Sequence, residues 1–344
     1  MKILITGGAG YIGSHTILEV LKKTNWEVIS ADNFTNSTPK TFERIKQISG
    51  KEIKNYNIDL CNSKETEELF KENSDIAGVI HFAALKSVPE SVENPELYFN
   101  NNMGSLQNIL NCLEKFNITN FIFSSSCSVY GNIDQLPVNE NTPLQEAQSP
   151  YGQTKKDGEK MIEEFSKNHS TIRSISLRYF NPTGAHPSGL IGEASIKKTL
   201  NIIPGITETA IGKRENFFVF GNNYNTRDGS CVRDYIHVID IADAHILALQ
   251  YLISEKEKIN YDVFNLGTGN GVTVFEAIRA FEKVSGLKLK YTISPRRDGD
   301  VEAIYSNSTK AKKILGWETK FNIEQMMESA WKWQKHLSST STSA

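Results

Sequence analysis

"KILITGGAGYIGSH" (residues 2–15) decides the fold. Its first five residues form an apolar, β-favouring run. Gly7, Gly10 and Gly13 then follow in a G-x-x-G-x-x-G spacing, and helical periodicity begins at once. Glycines between a strand and a helix let the backbone turn tightly and approach a pyrophosphate, whose charge settles on the helix N-terminus. The strand–turn–helix context is what separates this motif from a chance glycine cluster. Nineteen residues after Gly13, Asp32 ends a second apolar run, "EVISAD". A carboxylate there accepts hydrogen bonds from ribose hydroxyls and repels a 2′-phosphate. No lysine or arginine follows within "ADNFTNS", so the expected cofactor is NAD rather than NADP. Asp59, read as the end of the next strand in "NIDL", is either an adenine contact or a plain turn residue.

The same rhythm continues outward. "GVIHFAA", "NFIFSSS" and "IRSISLRYF" are further strand candidates, separated by helical patterns at 64–73, about 95–116 and about 151–168. Strands apolar on both faces, alternating with helices, predict an α/β fold: a doubly wound parallel sheet of the Rossmann type. After Phe180 the pattern breaks into "NPTGAHPSG" and "GNNYNTRDGS", whose Gly, Pro and Asn predict long loops and a smaller, loop-rich α/β part. "DYIHVIDIADAHILALQYL" and "YDVFNLGTGNG" add two more units, and "IEQMMESAWKWQKHL" reads as a closing amphipathic helix. The expected division is 1–181 plus 234–266 for a dinucleotide-binding domain and 182–233 plus 267–337 for a substrate-binding part. Residues 338–344 read as a disordered tail.

Bulk composition excludes several classes. The 344 residues are 39% hydrophobic and 23% charged, as in ordinary globular proteins. With 38 basic and 40 acidic residues, no global field favours nucleic acid or an anionic membrane surface. No run reaches the ~18 apolar residues of a membrane span. Cys61, Cys112, Cys127 and Cys231 show no metal spacing, and no metal is expected. With the first strand starting at Lys2 there is no room for a targeting segment, so a cytoplasmic protein with reduced thiols is expected.

"SPYGQTKK" (149–156) sets Tyr151 and Lys155 four residues apart, on one face of a helix. Alone, the pair means little. It gains weight from Ser126 at the end of the strand "NFIFSSS", from Lys86 just past "GVIHFAA", and from "NNN" (100–102) opening a helix. Together with the glycine motif, these residues resemble the extended short-chain dehydrogenase/reductase family over nearly the whole chain. "RYFNPTGAHPSG", "VRDYIHV", "FNLGTG" and "RRDGD" are similar to its UDP-hexose 4-epimerase branch.

The resemblance implies that Tyr151 is the catalytic base, its pKa lowered by Lys155 and the nicotinamide ring, with Ser126 bonding the reacting oxygen. It implies that Lys155 also holds the nicotinamide ribose, that Asn101 supports the lysine through the local network, and that Lys86 contacts the cofactor. Tyr11, Ile12, Asn33, Leu60, Phe82, Ala83, Ala84 and Tyr179 join the cofactor wall by the same resemblance. His81 and the tryptophans Trp317, Trp331 and Trp333 read instead as structural.

For the outcome after oxidation, Cys127 and Ser128 follow Ser126 where eliminating relatives carry an acidic pair. That disfavours dehydration and points to 4-epimerisation of a UDP-sugar: UDP-glucose and UDP-galactose exchanged through a 4-keto intermediate. Arg233 and Arg297 suit the diphosphate, Asn181 and Asn201 offer neutral donors, and Tyr179 lies near the sugar. By resemblance Asp300 reaches the uridine ribose and Phe220 lies along the uracil. Ile304 stands where a pocket-lining residue sets sugar size, so UDP-N-acetylhexosamine, UDP-glucuronate or UDP-pentose forms are the alternatives. A homodimer through the helices at about 95–116 and 151–168 is a family expectation.

Overall fold

The computed structural model describes residues 1–194, 201–254, 259–297 and 300–341. In chain order the elements are β1 (Lys2–Thr6), α1 (Tyr11–Lys23), β2 (Glu27–Ala31), α2 (Lys40–Ser49), β3 (Lys54–Tyr56), α3 (Ser63–Glu72), β4 (Ile76–His81), α4 (Val88–Glu93) and α5 (Pro95–Lys115). Then come β5 (Asn120–Ser126), α6 (Pro150–Asn168), β6 (Arg173–Tyr179), β7 (Asn181–Thr183), α7 (Ile202–Ala210), β8 (Phe217–Phe220), β9 (Val232–His237) and α8 (Val238–Ile253). The chain closes with β10 (Tyr261–Leu266), β11 (Gly271–Thr273), α9 (Val274–Ser285), β12 (Tyr291–Ser294), β13 (Ala303–Ile304), α10 (Thr309–Leu315) and α11 (Ile323–Ser341).

Seven parallel strands form the main sheet in the order β10-β6-β5-β4-β1-β2-β3. The expected Rossmann-type sheet is therefore present. Because β1–β3 wind one way and β4, β5, β6 and β10 the other, the order reverses between β1 and β4. A crevice opens beyond their carboxyl ends, where ligands bind in such sheets. Apolar residues on both faces of the strands bury against helices. Ile3 and Ile5 pack with Ile17, Ile241 and Leu249 of α1 and α8, while Leu4, Phe121 and Phe123 pack with Leu106, Ile109 and Ile162 of α5 and α6.

A second lobe holds β11-β9-β13, with β7 also paired to β9, and the two-stranded β12–β8. Its core joins Ile203, Ile206, Phe217, Phe281, Met326 and Met327. Local signals set its helices: α9 has a full capping box between Thr273 and Glu276 and ends on left-handed Gly286.

Three details depart from the sequence reading. The strand before Asp59 ends at Tyr56, so Asp59 sits in a turn, its Oδ1 accepting from the Cys61 amide at 2.9 Å. Residues 234–237, read as part of the dinucleotide-binding domain, lie in β9 of the second sheet, because their partners are β7 and β11. Helix α11 runs to Ser341, past the expected start of a tail at 338, with Ser339 Oγ bonding the His336 carbonyl at 2.8 Å. Residues 342–344 of that expected tail lie outside the described residues.

The second lobe is tied together by Asp234, which is fully buried. Its carboxylate accepts from the Thr268 amide (2.8 Å) and hydroxyl (2.6 Å), the Gly269 amide (3.1 Å), and the Ser306 amide (3.0 Å) and hydroxyl (2.7 Å). Asp234→Ala would strand these donors without water, and we expect a loss of about 3–5 kcal/mol. Urea unfolding checks this; a loss below ~1 kcal/mol would contradict it.

Candidate active site

The crevice is a cavity of about 370 Å³ that runs from the glycine turn to the Tyr–Lys helix. At one end Gly7 follows β1 with φ +68°, and its amide donates to the Ala31 carbonyl at 2.8 Å. A Cβ on Gly7 would lie 2.9 Å from the Ala83 nitrogen, and one on Gly13 only 2.2 Å from the Gly7 carbonyl oxygen. The missing carbons are what let β1, β4 and the first turn of α1 meet. Gly10 caps α1 without a side chain, so the helix N-terminus faces the cavity bare.

Asp32 projects into the same end. Its Oδ2 accepts from the Ala9 amide (2.9 Å), and its Oδ1 from the Phe34 amide (2.9 Å) and Ser37 Oγ (2.7 Å). These bonds fix the direction of the carboxylate. Asn33, Asp59, Leu60, Phe82, Ala83, Ala84, Tyr11 and Ile12 also line the cavity.

At the other end, α6 starts on Ser149, which accepts from the Gly152 amide at 3.1 Å, with Pro150 in the first turn. That start places Tyr151 and Lys155 against β5. Lys155, 5% exposed, donates from Nζ to the Ser124 carbonyl at 2.7 Å and lies 6.0 Å from the Tyr151 ring centre. Ser126 ends β5 and accepts from the Ser128 amide (3.2 Å) and hydroxyl (3.0 Å). Tyr179 pairs its hydroxyl with Ser124 Oγ at 2.7 Å. Asn181 and Asn201 complete this wall.

Burial dominates the titration of these groups. It drives the Tyr151 phenol well above its usual value, reinforced by Tyr179 and opposed by the Ser126 hydroxyl. The expected lowering by Lys155 is thus reversed in the protein by itself, because removing water from a phenolate costs more than an ammonium at 6.0 Å returns. Burial lowers Lys155 to about 8, with Glu159 pulling it back up. Cys127 is pushed up to about 12 by burial, so its thiol stays protonated and is no useful acid. His81 is pulled down to about 3 by burial and Lys155, and its Nδ1 pairs with Thr6 Oγ1 at 2.9 Å. It is a neutral structural residue, as its strand position suggested.

The remaining expected site residues fall in two places. Asn101 lines the cavity and donates to Asn102 Oδ1 at 3.0 Å. The link to the catalytic helix runs through Asn102, whose Nδ2 reaches Thr154 Oγ1 (3.1 Å) and the Leu85 carbonyl (3.0 Å). One helical position separates the two asparagines, enough to turn one side chain inward and its neighbour to the cavity. Phe220, Arg233, Arg297, Asp300 and Ile304 form a separate group that does not line the 370 Å³ cavity. Arg297 Nε meets Asp300 at 2.8 Å and stacks 4.6 Å over the Phe220 ring, while Arg233 meets Asp300 at 3.4 Å. Ile304 is buried with Val129, Tyr130, Val138 and Phe180. The guanidinium groups satisfy themselves on Asp300, an internal partner that adjacency in sequence (Asp234) does not reveal. Glu193 and Ser37 are cavity residues that sequence reasoning missed; neither carries a motif signal of its own.

Fold and site together define the class: a dinucleotide-binding enzyme of the extended short-chain dehydrogenase/reductase type. Comparison with known proteins narrows this. Residues 4–330 match the family described as GDP-mannose 4,6 dehydratase. UDP-glucose 4-epimerase of Bacillus subtilis (strain 168) is 43% identical over 334 residues, covering 97% of both chains. The crystal structure of UDP-glucose 4-epimerase from Bifidobacterium longum with NAD+ and UDP superposes with a TM-score of 0.92 at 42% identity, covering 98% of each chain. That of the Stenotrophomonas maltophila enzyme, with bound NAD and formylated UDP-arabinopyranose, gives 0.95 at 39% identity, covering 99% of each chain. The chain belongs to the UDP-glucose 4-epimerase family.

A desolvated ammonium has a measurable signature. Lys155 in the folded chain has its pKa lowered to about 8 from 10.5, so below pH 8 folding must carry a charged group away from water. This cost shrinks as pH rises from about 8 towards 10.5, where the unfolded chain also loses its proton. Lys155→Met should therefore be more stable than the parent at pH 7, by about 1–3 kcal/mol. The gain should fade between pH 8 and 10 in urea unfolding. A variant less stable than the parent at pH 7 would contradict this.

Proposed function

We propose that this protein interconverts UDP-glucose and UDP-galactose by oxidation and re-reduction at C4 of the hexose, with NAD in the cavity. One observation carries the reading: Tyr151, Lys155 and Ser126 converge on the cavity that the glycine turn opens, while Cys127 and Ser128 stand where an eliminating enzyme needs acids. The cavity fits the dinucleotide. Its glycine cradle would be filled by any Cβ at Gly7 or Gly13, the bare α1 N-terminus suits a diphosphate, and Asp32 suits ribose hydroxyls. Asp59 stands ready for the adenine end and Lys155 for the nicotinamide ribose. When bound, NAD supplies a reversible hydride acceptor.

The chain's own residues move the proton. Tyr151 takes the proton of the C4 hydroxyl as the C4–H bond breaks, leaving a 4-ketone, and returns it when the ketone is reduced on its opposite face. No net oxidation results. Ser126 bonds the reacting oxygen, and Lys155 sets a positive charge beside the phenol. Because burial favours the neutral phenol, proton removal depends on positive charge gathered near the ring.

In this reading 1–181 plus 238–266 carry the dinucleotide and 182–237 plus 267–337 carry the UDP-sugar. Arg233 and Arg297 would exchange Asp300 for the diphosphate, Phe220 would lie along the uracil, and Asn181 and Asn201 would donate to the phosphates. Exposed Val92, Leu97 and Phe99 on α4 and α5 support a homodimer formed through α5 and α6, which light scattering would report as twice 38.6 kDa. Four free thiols fit a reducing compartment such as the cytoplasm.

The test is UDP-galactose turnover by purified protein. UDP-glucose should form, and Tyr151→Phe should lose at least about 10²–10⁴-fold in kcat. No turnover with NAD added would sink the assignment. A 4-keto-6-deoxy product would return the chain to the dehydratases.

A further inference from the structure

Glu193 is out of place electrostatically. It lines a cavity suited to a diphosphate, yet it is an acid, and its side chain is only 11% exposed. Its partners explain it. Glu193 Oε1 accepts from Asn201 Nδ2 at 2.7 Å and lies 3.6 Å from Lys86 Nζ. Lys86 follows β4 of the main sheet, whereas Asn201 caps α7, which packs on α9 and α11 of the second lobe. One carboxylate thus touches both sides of the cavity, at the exposed residues that rim it.

The backbone behind the carboxylate is fixed. Trp333 Nε1 of α11 donates to the Glu193 carbonyl at 2.9 Å. Gly192 presses flat on the same indole, where a Cβ would fall 2.4 Å from a ring carbon. Tyr11, on the first turn of α1, feels the Glu193 charge and donates from its hydroxyl to the Gly184 carbonyl at 2.6 Å. The carboxylate therefore reaches Asn201 and Lys86 from an anchored main chain.

We infer that Glu193 is a positioning residue that latches Lys86 to Asn201 across the rim of the cofactor cavity and so slows exchange of the dinucleotide. The inference rests on the NAD reading above. A partly buried, charge-assisted bond of this kind sets how fast a ligand leaves far more than how fast it arrives. Removing the latch therefore acts on release of cofactor, and on the chemistry at Tyr151 only through it.

The experiment measures exchange of bound NAD for labelled NAD in the full-length protein, with thermal unfolding of the NAD-free protein alongside. Glu193→Ala should exchange about tenfold faster than the parent. Glu193→Gln, which keeps an acceptor for Asn201 but no charge for Lys86, should fall between. The melting temperature of the NAD-free variants should stay that of the parent, which separates latching from general loosening. Exchange by Glu193→Ala within twofold of the parent, or slower, would overturn the inference, as would faster exchange accompanied by a matching drop in melting temperature. Failure of the parent itself to bind NAD would instead remove the cofactor reading, and the latch with it.

Discussion

The structure depends on a backbone-to-backbone approach that leaves no room for side chains. Gly7, just past β1, sits against Ala83, just past β4, and Gly13 in α1 sits against Gly7. A single Cβ at either glycine would stand between atoms now at van der Waals contact, and the neighbours are backbone with nowhere to go. Because β1 and β4 are the strands at which the order reverses, this approach also sets the width of the crevice. Every other site residue is then placed by an element that leaves one of its walls.

That constraint explains why the architecture was legible in the sequence. Glycine spacing, strand runs and helix caps are local signals, and β1, α1, β5 and α6 all carry them within a few residues. Tyr151 and Lys155 could be put on one face by helical spacing alone. What spacing could not supply was the sign of the phenol's shift. The lysine is a neighbour in sequence, but the water lost around the ring is a property of the assembled walls, and burial outweighs the charge. The same limit hid the true partners of Arg233, which turns to Asp300 and to the Val232 and Val301 carbonyls (2.8 and 2.9 Å). It also hid Asn102, distinguishable from Asn101 only once α5 has a fixed rotation. Glu193 carries no motif, and its meaning comes from residues 107 and 8 positions away.

Beneath the site a buried ion pair keeps α6 in register. Glu159, one helical turn beyond Lys155, accepts from Arg178 at 2.8 and 2.6 Å and from Ser125 Oγ at 2.5 Å. Arg178 also reaches the Tyr130 hydroxyl at 3.1 Å, which bonds Asn265 at 2.7 Å. Buried pairs of this sort add little net stability against apolar replacements, but they tolerate only one geometry. Here that geometry ties α6 to β5, β6 and β10 together. The lysine's desolvation and the helix's fixed register are two faces of one arrangement, since a lysine free to reach water would neither feel the phenol nor hold its place.

The two lobes solve opposite electrostatic problems. In the second lobe the arginines that suit a diphosphate rest on Asp300, so positive charge is stored already paired, and a ligand must displace a carboxylate to use it. In the main cavity the ammonium of Lys155 is stored almost dry, bonded to one carbonyl, with the phenol beside it kept neutral by burial. An anion entering the second lobe would have to displace Asp300, whereas a positive ring entering the first would make phenolate tolerable.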